Sequence, residues 1–210
     1  MSDTRPALLR LHVIRHGETE WSLSGQHTGR TDIPLTPRGE SDARNLAGRL
    51  AAVRFNCVLS SPRERARRTC ELAGLGAGAQ ADPDLAEWDY GDYEGKRSAE
   101  ILRERPGWNL FRDGCPNGES PDQVAGRADR LIARLRAMDG NVALFSHGHF
   151  GRSLAARWIE LPVAAGERFM LDPTSLSILG FERDDRAAPA FVLWNESSAE
   201  LAASVSVPVS

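Results

Sequence analysis

Apolar positions along this chain follow two alternating rhythms, short unbroken runs and stripes at helical spacing. Residues 8–14 form an apolar run that stops abruptly at Arg15-His16-Gly17 and predicts a buried strand. After a polar loop, Thr36-Pro37 supplies an N-cap and a proline at the first helical position. Ala43, Leu46, Ala47, Leu50 and Val53 follow at helical spacing. Residues 57–59 predict a second strand, halted by Ser60-Ser61-Pro62. Ser61-Pro62-Arg63-Glu64 has the form of a capping box and opens a helix reaching Leu72 or Ala73. Ser120-Pro121-Asp122-Gln123 repeats that form ahead of Val124, Ala128, Leu131, Leu135 and Met138. Residues 141–145 predict a third strand ending at Ser146-His147-Gly148, with a helix over residues 150–158 behind it. Residues 175–181 and 191–194 alternate as strands around a charged turn at Asp184-Asp185-Arg186.

Strands that alternate with helices predict an α/β three-layer sandwich, a mainly parallel sheet with helices on both faces. No internal repeat or low-complexity linker divides the chain, so residues 1–210 are expected to form a single domain. A hydrophobic share of 41 % and a charged share of 26 % suit a globular chain and not a disordered one. The net charge of -3 argues against a nucleic-acid binder. No run reaches the roughly 18 to 20 apolar residues of a membrane span. The polar start from Met1 to Pro6 is not a secretory signal, so the expectation is a cytoplasmic protein without a membrane partner. Cys57, Cys70 and Cys115 form no CxxC pair, which argues against a disulfide framework or zinc cage.

Among the 26 lysines and arginines only Lys96 is lysine, so arginine abundance carries no message and position must. Three strand ends supply position: Arg15-His16-Gly17, Ser61-Pro62-Arg63 and Ser146-His147-Gly148. Ligands of open parallel sheets bind where the strands' carboxyl ends gather. Two of the three segments also lead into helix N-termini, which favour anions, and guanidinium forks match phosphate oxygens. Singly, each residue reads as an ordinary surface arginine, loop histidine or turn glycine. Their coincidence at three strand ends points to a phosphoryl group, and so to a small phosphorylated metabolite as partner. The glycines of residues 74–78 follow a helix and lack nucleotide-loop spacing. His147-Gly148-His149 with Asp89 or Asp92 is half of a metal site, but no further histidine pair completes it. Neither a metal nor a cofactor is expected. The oligomeric state, including a homo-oligomer, is left open, as is the role of the apolar, serine-rich tail at residues 201–210.

Arg15-His16-Gly17-Glu18-Thr19 resembles the signature of the histidine phosphatase superfamily, the phosphoglycerate mutase-like proteins. Ser60-Ser61-Pro62-Arg63, Glu87 and Ser146-His147-Gly148 continue the match in the family's order over most of the chain. The resemblance implies that His16 is the nucleophile, carrying a transient phosphohistidine, and that Glu87 gives and takes the proton. It assigns the phosphoryl oxygens to Arg15, Arg63 and His147. Paired guanidinium charges fit that role, because they keep the imidazole neutral and stabilise the transferring phosphoryl. A catalytically silent phosphate-binding module would keep the arginines and lose His16 or Glu87; both are present.

The aromatic and acidic segments 87–95 and 108–119, with Trp21-Ser22 and residues 25–29, resemble the sedoheptulose-1,7-bisphosphatase branch. Ser22, where mutases carry asparagine, and the lack of a mutase-type basic insertion favour a phosphatase over a mutase. On that resemblance Thr28, Gly29, Tyr90 and Arg152 would contact substrate, with Ser22 and Arg112 as further candidates and His27 a weaker one. The implied activity is hydrolysis of a sugar (bis)phosphate, with a mutase or a broad-specificity phosphatase as the alternatives.

Overall fold

A computed structural model describes residues 8–197 of the chain. In chain order the strands are β1 (Arg10–Arg15), β2 (Phe55–Ser60), β3 (Ala79–Ala81), β4 (Asn141–Ser146), β5 (Leu176–Phe181) and β6 (Pro189–Glu196). The helices are α1 (Glu20–Ser24), α2 (Pro37–Leu50), α3 (Glu64–Leu72), α4 (Ser98–Glu104), α5 (Leu110–Asp113), α6 (Pro121–Leu135) and α7 (Gly148–Trp158). One six-stranded sheet runs in the order β3-β2-β4-β1-β5-β6. The β3-β2, β2-β4 and β4-β1 pairings are parallel, while β5 and β6 join antiparallel. The expected α/β three-layer sandwich is what the chain forms. Among the described residues no helix is long and apolar enough to cross a membrane.

Alternation along each strand builds the layers. Leu11 and Val13 of β1 and Val142 and Leu144 of β4 pack with α6 and α7 through Leu131, Leu135, Leu154 and Trp158. Ile14, Ala143 and Phe145 face the other way and meet Leu46 and Leu50 of α2 and Cys70 of α3. The central strands are thus buried on both faces, which is why they read as unbroken apolar runs.

Thr36 caps α2 as expected, accepting the Gly39 N–H, and Ser120 and Gln123 form the expected reciprocal box on α6. The box expected at Ser61 does not form. The α3 helix starts at Glu64 with Arg63 as its cap residue: of the nearby backbone N–H groups the Ser61 hydroxyl oxygen accepts only that of Arg63, and the Glu64 N–H goes to Asp32 Oδ1. The polar stretch after His16 holds an unexpected short helix, α1, closed by a Thr19–Ser22 capping box. The glycine stretch near residue 76 folds into a single helical turn, Gly76–Gly78, before β3. Residues 1–6 and the tail at 201–210 lie outside the described residues.

Candidate active site

Register brings the three strand ends together. Arg15 pairs with Ser146 across β1 and β4, and Ser60 with Phe145 across β2 and β4. The alignment continues past the strands: the His16 N–H donates to the Ser146 carbonyl and the Ser61 N–H to the Phe145 carbonyl, each at 2.9 Å. His16 and His147 leave the sheet side by side, their rings edge to face with centroids 5.2 Å apart.

His16 is buried, and its Nδ1 lies 2.7 Å from the Gly17 carbonyl. A carbonyl only accepts, so Nδ1 carries the proton and Nε2 presents its lone pair. Burial, then the Arg65 charge, then the Arg15 charge hold the His16 pKa well below the usual histidine range. The ring is neutral at neutral pH, the state a nucleophile requires. His147 is fully buried. The Ser61 hydroxyl oxygen accepts the Arg63 N–H and lies 2.7 Å from His147 Nε2. The other ring nitrogen, Nδ1, is a buried atom with no partner among the described residues.

The two arginines near the start of α3 part ways. Arg63 is half-buried at the rim, where its Nη1 donates to the Arg30 carbonyl. Arg65 is 0 % exposed and donates to the carbonyls of Thr28, Gly29 and Thr31. It is the strongest charge acting on both His16 and His147, whereas Arg63 acts on His147 only and less. The Nε atoms of Arg65, Arg63 and Arg15 alike are buried with no partner among the described residues. The buried face of α3 comprises Arg65, Ala66, Thr69 and Cys70. That spacing is a helical stripe with an arginine in it, and it is the signal by which sequence could have found Arg65. Thr69 closes the link to the first strand end by accepting the Gly17 N–H at 3.0 Å.

Glu87 is buried at the mouth of α7. Its Oε1 accepts the N–H groups of Trp88 (2.9 Å) and Phe150 (2.8 Å), and its Oε2 accepts that of His149 (3.1 Å). The helix N-termini therefore do not act as expected. First-turn donors of α7 serve Glu87, and the Glu64 N–H of α3 serves Asp32. The positive dipole ends hold protein carboxylates. Arg15 lies across the start of α7, where the absent side chain of Gly148 makes room: a Cβ there would sit 3.3 Å from the Arg15 guanidinium carbon.

A cleft of about 200 Å³ opens beside these groups. Arg15, His16, Glu87, Ser22, Thr28, Tyr90 and Arg152 line it, while Arg63, Arg65 and His147 are not among its lining residues. Gly29 lies behind the wall, its N–H donating to Glu94, and a side chain there would meet the Trp88 carbonyl at 2.7 Å. Arg112 stands outside the cleft, largely exposed and 3.8 Å from Glu167. Arg152 is fixed by donating to the Gly166 and Glu167 carbonyls and lies over the Phe111 ring at 4.6 Å.

A family model described as the histidine phosphatase superfamily (branch 1) matches residues 11–197. The chain belongs to this superfamily. It is 44 % identical over 182 residues to an acid phosphatase of Mycobacterium tuberculosis, covering 84 % of this chain and 89 % of that protein. It is 39 % identical over 187 residues to the sedoheptulose 1,7-bisphosphatase of Saccharomyces cerevisiae, covering 73 % and 69 %. A solved Mycobacterium tuberculosis structure superposes with a TM-score of 0.82 at 40 % identity, covering 90 % of this chain and 97 % of that one. Membership makes the chain an enzyme, a phosphoric monoester hydrolase.

Two histidines that sequence reading did not place as principal site residues line the far wall of this histidine phosphatase cleft. Tyr90 Oη is 2.6 Å from His149 Nδ1, and burial pushes the phenol pKa well up, so the phenol stays protonated. His27 packs 4.7 Å from the Tyr90 ring, and burial pushes its pKa down to about 4. His149 stands two residues beyond His147 on the first turn of α7, a spacing that could have flagged it. Among the described residues no three metal-binding side chains are grouped to hold an ion. Asp89 is paired with Arg30, and Asp92 accepts from Asn117.

Five buried or half-buried imidazoles, His12, His16, His27, His147 and His149, all with lowered pKa values, make the fold acid-sensitive. Their folded pKa values lie below the unfolded one, so the unfolded chain binds more protons as pH falls. Stability is intact above about pH 6.5 and declines from there toward pH 4, with His27 alone worth about 3 kcal/mol by the lower limit. Thermal unfolding across that range should show a steep fall, made shallower by His27→Gln. A flat profile would contradict the assignment of neutral rings.

Proposed function

We propose that the protein is a metal-independent phosphatase that hydrolyses a phosphate monoester of a small metabolite through a phosphohistidine. The substrate class we infer is a sugar (bis)phosphate such as sedoheptulose-1,7-bisphosphate. The observation that carries this reading is the neutral His16 ring, its Nε2 bare, opening with Glu87 onto one cleft. In the first step Nε2 bonds to phosphorus as the P–O bond to the leaving group breaks, and Glu87, as the general acid, gives that oxygen a proton. In the second, Glu87 takes a proton from water as its oxygen attacks phosphorus and the P–N bond breaks. Arg15, Arg65 and His147 are assigned to the equatorial oxygens, where charge accumulates. Arg65 takes the place that the sequence resemblance gives to Arg63.

Support for a sugar comes from the far wall. Ser22, Thr28 and the neutral His149 ring offer uncharged partners for hydroxyls, and Arg152 adds a cation for a second anionic end. The similarity to a sedoheptulose 1,7-bisphosphatase agrees. A broad-specificity phosphatase is the second reading, favoured by the higher identity to an acid phosphatase.

The test is turnover in chelator of p-nitrophenyl phosphate, sedoheptulose-1,7-bisphosphate, fructose-1,6-bisphosphate and 3-phosphoglycerate, with acid-labile phosphate trapped on His16. A tenfold preference in kcat/KM for a ketose bisphosphate supports the substrate class. Equal rates across the panel replace it with the broad phosphatase. No turnover and no trapped phosphate would sink both.

A further inference from the structure

Glu87 sits in a segment with no strand or helix around it, between the single turns Pro83–Leu85 and Gly91–Tyr93. General acid catalysis requires its carboxyl to hold station against the leaving oxygen. The guanidinium of Arg127, projecting from α6, spends all five of its N–H donors on this segment and its neighbour. Nη1 donates to the carbonyls of Asp84 (3.0 Å) and Ala86 (2.6 Å). Nη2 donates to the carbonyl of Glu87 itself (3.4 Å) and to Glu119 Oε2 (2.8 Å), and Nε donates to Glu119 Oε1 (3.0 Å). The guanidinium plane lies 4.3 Å from the centre of the Phe150 ring, whose own N–H holds the Glu87 carboxylate.

Glu119 secures the other side of the catalytic position. Its Oε2 accepts the Asp89 N–H, its carbonyl accepts the Trp88 indole N–H, and its N–H donates to the Asp89 carbonyl, each at 2.9 Å. The preceding residue must be glycine, because a Cβ on Gly118 would collide with that same Asp89 carbonyl. The anchors fall at residues 84, 86, 87, 88 and 89, on both sides of Glu87 and at Glu87 itself. Both partners are largely buried, with side-chain exposures of 9 % and 21 %. Lysine, a point charge with three donors, cannot reproduce the fork.

We propose that the Arg127–Glu119 pair is a positioning device for Glu87, and through it sets proton delivery to the leaving group. The inference rests on the phosphatase reading above. It separates from simple structural support by chemistry: an alkoxide needs a proton as it leaves, whereas p-nitrophenolate departs as an anion. A displaced Glu87 therefore slows alkyl phosphates selectively.

The experiment compares kcat/KM, which reports only steps through departure of the leaving group, for glycerol 2-phosphate and p-nitrophenyl phosphate. Arg127→Lys and Glu119→Gln are expected to lower the value for the alkyl ester about tenfold or more, and for the aryl ester less than about threefold. Arg130→Gln, from the same helix and paired only with the Asp84 carboxylate, should leave the ratio unchanged. Should Arg127→Lys fail to fold, Glu119→Gln keeps an oxygen for the Asp89 N–H and reads the same ratio. Equal losses on both esters, or none, would overturn the proposal while leaving the phosphatase reading in place. A wild-type protein that turned over neither ester would remove that reading itself.

Discussion

His16→Ala is expected to lower kcat/KM for p-nitrophenyl phosphate by about 10⁴-fold or more, in line with removal of a covalent nucleophile elsewhere. The size follows from the geometry. His16 Nε2 is the bare lone pair in the cleft, while His147 Nε2 is held by the Ser61 hydroxyl and His147 Nδ1 is buried. No second nitrogen nucleophile is therefore presented beside it. The ring's single hydrogen bond is to the adjacent Gly17 carbonyl, so the variant should fold and still bind vanadate through Arg15 and Arg65. Acid-labile phosphate should no longer be trapped. Near-normal turnover would refute the nucleophile assignment.

Arg65→Gln is expected to cost about 10² to 10³ in kcat, and Arg63→Gln less than about tenfold. Arg65 is the fully enclosed charge between the two histidines, while Arg63 is tied to the Arg30 carbonyl at the rim. A readout beyond rate comes from the sign of its electrostatics. Arg65 is the largest charge holding the His16 pKa down, so its removal lets that pKa rise. His16 must be neutral to attack, so the acid limb of the kcat/KM profile should move to higher pH. Arg63→Gln should leave that limb in place. The opposite pattern would return the phosphoryl oxygens to Arg63.

The contrast between these arginines shows how far sequence reaches. A strand ending in serine and proline before a helix drew attention to Arg63, the residue at the cap. Whether residue 63 or 65 turns inward depends on where the first helical turn begins, and that was decided by a distant contact. Asp32 takes the Glu64 N–H that a Ser61 capping box would hold, and α3 starts at Glu64 with Arg65 on its buried face. The same limit applies to the helix N-termini. Their affinity for anions was legible, but a carboxylate 62 residues away along the chain, Glu87, reached the His149 N–H. Arg127 and Glu119 gave no local signal either, since a charged pair eight residues apart near a helix start reads as surface.

The sequence by itself determined the layered α/β class, the two well-capped helices α2 and α6, and the gathering of His16 and His147 at one sheet edge. Those features rest on local physics: apolar periodicity, cap chemistry, and the rule that parallel strands share their carboxyl ends. Only the tertiary structure decided which arginine is enclosed beside His16 and His147 and what holds Glu87 in place. Each of those depends on a hydrogen-bond partner or a buried charge supplied from a remote part of the chain. In an enclosed site such partners outweigh local preference, because leaving a polar group unpaired there costs more than breaking a capping rule.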